Sequence, residues 1–261
     1  MKRAIKHAQS IVTVAVVLLL LTAGTISSAN AQVLPPGGRH FGLTYGQWSA
    51  VWWQWAFAIP VHRPPFSDNV NHPLVDLTGG KCGVHQFGPV WFLGGAFFEV
   101  GTTSLSTVVR DDCVVPSSKA LFFPILNTEC TGIEGPGNGC GATVADSRAI
   151  VSSVIDGAGN LSADVDGTPI PIDATYRVGS PNKPPFCVFL APDDLLSFIG
   201  EGPGGYGSGT HFHAGFSCGT VDDGYYVMLA PLSKGPHTVH FHGEFPVYAF
   251  ALDVTYHLTV E

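Results

Sequence analysis

Charge is scarce in this sequence. Asp, Glu, Lys and Arg make up 12% of its 261 residues, about half the ~25% of an average soluble protein. Lys and Arg are the scarcer pair, 12 against 20 acidic residues. That balance excludes a nucleic-acid binder of the basic kind. The low charge density also excludes a coiled coil or a charged disordered tail. No Cys-x-x-Cys pair occurs, which argues against a zinc site built from thiolates. No P-loop occurs either, so phosphate cradling finds no support. Beyond the N-terminal region no stretch approaches the ~18 uninterrupted apolar residues of a membrane-spanning helix.

What is abundant is apolar and turn-forming. Hydrophobic residues reach 45%, with 32 Gly and 20 Pro. The mixture points to a loop-rich, β-dominated domain.

The N-terminus carries an address. Lys2, Arg3 and Lys6 form a positive start, Ile11 to Thr22 a short apolar core, and Ala29-Asn30-Ala31 an A-x-A cleavage signal. Residues 1–31 therefore read as a signal peptide cleaved after Ala31, leaving one secreted domain over residues 32–261. An uncleaved anchor is the alternative, but the apolar core is short for a ~20-residue span. Cleavage leaves nine Lys and Arg against twenty acidic residues, a mature charge of −11. The destination is periplasmic or extracellular, with no membrane anchor and no nucleic acid as partner.

All six cysteines lie in the exported part. An even count in an oxidising compartment reads as up to three disulfides. Cys130 and Cys140 flank a loop with no core of its own, so a bridge there would staple it. Cys82 with Cys113 and Cys187 with Cys218 would complete the set, one of 15 connectivities that six cysteines allow.

Along the chain, Gln47 to Ala58 reads as a helix. Trp48, Val51, Trp52 and Trp55 fall on one helical face, and Trp53 and Phe57 on another, so the helix should be substantially buried. Ala145 to Ala158 is a second helix, with Ile150 and Val154, and Val151 beside them, turned inward. Strand patterns occur at Pro89–Leu93, at Ser104–Arg110, and at Lys119–Asn127, where Pro124 marks an edge or bulge. Leu161 to Asp166 alternates and then meets Gly167, a hairpin signal. Asp193-Asp194 can cap a short helix through Ile199. Tyr225–Ala230 and His237–His242 read as strands joined by a turn, and Val247–Val260 as a long final strand. No repeat or linker divides the chain. The fold expected is mainly β: a single-domain, jelly-roll-like β-sandwich with one or two packed helices.

Several blocks carry a resemblance. The Trp52-Trp53-Gln54-Trp55 helix, Gln86-Phe87-Gly88-Pro89-Val90-Trp91-Phe92-Leu93 and Lys119-Ala120-Leu121-Phe122-Phe123-Pro124 are three of them. The others are Gly224-Tyr225-Tyr226-Val227-Met228-Leu229-Ala230-Pro231-Leu232 and Gly235-Pro236-His237-Thr238-Val239-His240-Phe241. Together they resemble a family of secreted bacterial proteins whose activity is uncharacterised. The resemblance implies a shared fold and export, and no catalytic residues.

Histidine is the candidate for chemistry. His211-Phe212-His213 and His240-Phe241-His242 are both His-x-His, and in a strand positions i and i+2 share a face. Two imidazoles so placed can hold one transition-metal ion. If the two strands were neighbours, His211, His213, His240 and His242 could converge, with Asp222, Asp223 or Glu244 adding a carboxylate. The bland alternative is that these histidines are structural or solvated. Val239 and Phe241 should face inward, and His240 and His242 outward. Gly205 before His211 starts a cupin-like pattern, but Ser217 and Cys218 stand where its glutamate belongs. Ser208, among glycines, is one residue out of register for a nucleophile elbow. The doublets Asp111-Asp112, Asp193-Asp194 and Asp222-Asp223 read as caps or solvated turns. Trp53 is the candidate platform for stacking on sugar rings.

Three readings follow. The first is a disulfide-stapled binding or structural protein of the envelope or exterior, with an unidentified ligand. The second is a metal-binding protein or metal-dependent enzyme with a transition-metal ion as cofactor. The third is a glycan-binding module. The sequence identifies no reaction.

Overall fold

A computed structural model describes residues 31–62, 69–99, 107–179, 184–200 and 211–261. The leader before Ala31, Pro64-Pro65, the strand start at Ser104, and Gly205 and Ser208 lie outside the described residues.

In chain order the elements are β1 (Arg39–His40), β2 (Leu43–Thr44), α1 (Tyr45–Phe57), β3 (Val90–Phe92), β4 (Thr107–Val115) and β5 (Ala120–Cys130). Then come α2 (Val144–Asp156), β6 (Gly159–Val165), β7 (Thr168–Ile170), β8 (Phe186–Leu190) and α3 (Leu195–Phe198). The chain closes with β9 (Gly215–Leu229), β10 (Gly235–Phe245) and β11 (Phe250–Val260). A five-stranded sheet runs β4-β11-β10-β6-β7 and a four-stranded sheet runs β3-β5-β9-β8. They pack as a sandwich, with β1 and β2 forming a small ribbon of their own. Pairing is antiparallel except for β4 beside β11 and β3 beside β5.

Alternation builds two cores. On β5, Phe123 turns into the space between the sheets, where its ring stacks on Phe241 of β10 at 5.1 Å. Its neighbour Phe122 turns the other way and stacks on Tyr226 of β9 at 5.2 Å, beneath α1. β5 is thus covered on both faces, which is why it reads as an unbroken apolar run. β3 pairs only with Ala120–Phe122, so Pro124 lies beyond that partner, and the β5–β9 register shifts between Pro124 and Leu126. The ring with no N–H falls where the ladder is already broken.

α1 begins with a capping box: Gln47 N–H donates to Thr44 Oγ1, and Thr44 N–H donates to Gln47 Oε1. This satisfies two helix-end groups that would otherwise lack partners. Three indoles then find main-chain acceptors, Trp48 on His40 O, Trp52 on Leu93 O and Trp55 on Val84 O. Trp53 is 4% exposed, edge-on to Trp52 and stacked on Phe57 at 5.2 Å. That corrects the expected sugar platform. Sheet and loops cover this helix on most sides, so Trp53 has no free face to offer a ring.

α2 also differs from its sequence reading. Val151 is buried and Val154 is half-buried against the core, as expected, but the other fully buried residues are Ser147 and Ile155 rather than Ile150. The helix docks on the far end of β5 and β9, where Val151 meets Val221 and the Cys130–Cys140 disulfide. Docking there rotates the buried stripe one position from the one that hydrophobicity alone selects.

Disulfides join Cys82 to Cys113, Cys130 to Cys140 and Cys187 to Cys218. The β6–β7 hairpin turns on Asp166 and Gly167, both at positive φ (52° and 73°), as a tight two-residue turn requires. Among the described residues no helix is long and apolar enough to cross a membrane.

Candidate functional site

Two places deserve a chemical reading: the outer face of the five-stranded sheet and the open end of the sandwich.

On β10, Val239 and Phe241 are fully buried and His240 and His242 point outward. His240 Nδ1 lies 2.9 Å from Asp164 Oδ2 of β6, and its Nε2 lies 3.4 Å from Asp253 Oδ2 of β11. His242 Nε2 lies 3.1 Å from Glu244 Oε1, and its Nδ1 is 3.4 Å from the same Asp253 oxygen. Asn160 Nδ2 donates to the other Glu244 oxygen at 2.7 Å, and this bond together with His242 holds the Glu244 carboxyl below its ordinary value. Cross-strand register explains the grouping, because His240 stands opposite Asp164 and His242 opposite Asp253.

The four-histidine convergence does not form. β9 and β10 are consecutive in the chain but belong to opposite sheets. His211 and His213 are exposed just before β9, on either side of the buried Phe212. Asp222 and Asp223 stay with β9 and are 3% exposed, so they are neither turn residues nor partners of His240. Asp223 instead holds Arg177, with Nη2 at 2.7 Å and Nε at 3.0 Å. Glu244 alone of the expected carboxylates joins the outer-face group; sequence reasoning missed Asp164, Asp253 and Asn160. The alternation of the flanking strands was the signal available for them. Among the described residues no three or more His, Cys, Asp or Glu side chains stand where they could hold a metal ion.

A second constellation was also missed. Ser233 Oγ lies 3.1 Å from His237 Nε2, and His237 Nδ1 lies 2.7 Å from Asp166 Oδ2. The connectivity is that of a Ser-His-Asp triad. However, His237 Nε2 also stands 2.9 Å from Ser233 O. A carbonyl can only accept, so that contact competes with the Ser233 hydroxyl for Nε2, just as the Asp166 carboxylate claims the ring hydrogen at Nδ1. Asp166 further accepts from Thr238 N at 2.8 Å. The trio ties two turns together. Gly215-Phe216-Ser217-Cys218-Gly219 has full Gly-x-Ser-x-Gly spacing, which the sequence reading overlooked. Ser217 lies within β9 at 7% exposed, where no strand-to-helix elbow lifts it into a site.

The open end of the sandwich holds a cavity of about 430 Å³. Trp52, Ile125, Leu126 and Leu252 line its depth, and Tyr248 and Phe250 its mouth. Tyr248 is 63% and Phe250 41% exposed, beside Val247 at 84%. Asn127 supplies a polar edge and donates to Tyr226 Oη at 3.1 Å.

Two larger hollows, about 730 and 810 Å³, adjoin Arg177. That guanidinium is already engaged by Asp223, Asp156 and Ser152, which leaves it little to offer a ligand.

Against known proteins, no family model matches this chain, and neither a curated protein nor a solved structure matches it.

Proposed function

We propose that this is an exported binding protein whose ligand is a small apolar or aromatic molecule held between the two sheets. The carrying observation is the aromatic-mouthed cavity. Its size and its mainly apolar walls, with one amide at the edge, are those of ligand sites generally. Three disulfides fit an oxidising compartment, and the N-terminal pattern supports export to it.

The test is titration with N-phenyl-1-naphthylamine, an uncharged probe that fluoresces in apolar surroundings. One saturable site per chain is expected. Tyr248→Ala and Phe250→Ala should each weaken binding by about tenfold, and Tyr248→Ala should leave the unfolding midpoint in place, because that side chain is 63% exposed. Unsaturable emission, or affinity indifferent to both changes, overturns the reading.

A second reading, divalent-metal binding at His240 and His242, is favoured by one observation. Each imidazole has one nitrogen held by a carboxylate (Asp164 or Glu244) and turns the other toward Asp253, an outer-sphere arrangement familiar from metal sites. Binding would have to draw these donors closer than they stand. Elemental analysis of chelator-free protein decides it: about one equivalent of metal, lost in His240→Ala, supports the reading, and no metal with no uptake on zinc titration ends it.

A further inference from the structure

The three disulfides differ in their access to solvent. Cys82 and Cys113 are 5% and 1% exposed, and Cys130 and Cys140 are 2% and 5%. Cys187 and Cys218 are both exposed. They face each other directly across β8 and β9, and β8 is an edge strand with β9 as its partner in the sheet.

The same surface carries a second feature. Phe189 stands opposite Phe216 in the β8–β9 register, two residues along from the cysteine pair and on the same side of the strands. Phe189 is 40% and Phe216 84% exposed, and their rings meet edge-on at 5.3 Å. The alternate residues Val188 and Leu190 point the other way, into the core under α1, at 1% and 0% exposed. An exposed disulfide therefore lies beside a bare aromatic pair on a strand that is anchored from behind.

We propose that Cys187–Cys218 is a thiol–disulfide exchange site for an external dithiol, with Phe189 and Phe216 as apolar footing for a protein that carries that dithiol. A thiolate of the dithiol attacks one of the two sulfurs, the S–S bond breaks, and the released cysteine takes up a proton. The second thiol of the reductant then resolves the mixed disulfide. It frees the other cysteine as a thiol and leaves the reductant as its own disulfide, so two electrons pass to this chain. Exposed bonds are the labile ones in such exchange. Opening the bond does not release β8. Val188 and Leu190 remain packed, and Gln54 Nε2 still donates to Cys187 O at 2.9 Å.

The test exposes the folded protein to dithiothreitol without denaturant. Samples are quenched in acid and alkylated, and the tagged cysteines are mapped by peptide mass. Cys187 and Cys218 should be labelled at least about tenfold faster than the other four. Equal rates for a second pair, or no labelling of Cys187 and Cys218, overturn the exchange site. Reduced thioredoxin then replaces dithiothreitol as the probe. Phe216→Ala should slow its reaction several-fold and leave the dithiothreitol rate unchanged. The same change with both reductants, or with neither, removes the aromatic footing.

Discussion

Acidification from pH 6.5 to 4 is expected to cost the folded protein about 3 kcal/mol through His72 alone. His72 is 0% exposed, and burial pushes its pKa from 6.5 down to about 4. The hydrogen bonds agree with a neutral ring: Leu74 N–H donates to Nδ1 at 3.1 Å, and Nε2–H donates to Ala56 O at 2.8 Å. A proton on Nδ1 would confront the Leu74 N–H, and the nearby positive charge of Arg110 and the imidazole of His85 add to the penalty.

The folded value lies below the unfolded one, so the contribution is whole above pH 6.5. It falls by about 1.4 kcal/mol per pH unit as pH drops toward 4, and then levels off. Urea unfolding of the wild type and His72→Gln at pH 7, 6, 5 and 4 isolates it, because other titrating groups cancel in the difference. A difference with the slope of about one proton between pH 6 and 5 is expected. A flat difference would mean that His72 does not stay neutral in the fold.

Gly132→Ala should lower stability by roughly 3 kcal/mol or more. A Cβ on Gly132 would stand 1.8 Å from the carbonyl oxygen of Cys218 and 2.9 Å from its carbon. That carbonyl belongs to β9, which is paired to β8 through its neighbours, so it cannot move without disturbing the ladder. Thermal unfolding should show a drop of about 6–12 °C for a domain of this size. Gly137→Ala is the matched control, since its Cβ would meet nothing within 4 Å, and it should stay within about 0.5 kcal/mol of wild type. Similar midpoints for the two variants would show that the Gly132 loop can shift away from β9.

Local chemistry made much of this fold readable. Asp166-Gly167 announced its hairpin because positive φ at two successive residues suits few other pairs. The helix around Trp52 showed a 3.6-residue period, and the outward aim of His240 and His242 followed from alternation with Val239 and Phe241. What sequence could not show depends on which strands become neighbours. Trp52, Ile125 and Phe250 line one cavity from three distant segments, and no local pattern joins them. Asp253 reaches both histidines only because β11 lies beside β10 in one particular register. The two His-x-His pairs were separated by the crossing of the chain between sheets, which leaves no mark in composition.

The parallel seat of β4 beside β11 has a consequence for the order of folding. Partners such as Val108 and Val254 are 146 positions apart, and among the described strands β4 has no other neighbour in its sheet. β4 must wait as an unpaired edge until the last described strand slots in between it and β10. Contacts of such long range are slow to form, and the waiting edge can pair wrongly with another chain. Completion of the five-stranded sheet is therefore a late event that needs residues 250–260. A chain shortened by that strand would present two raw sheet edges, β4 and β10, in place of a closed wall.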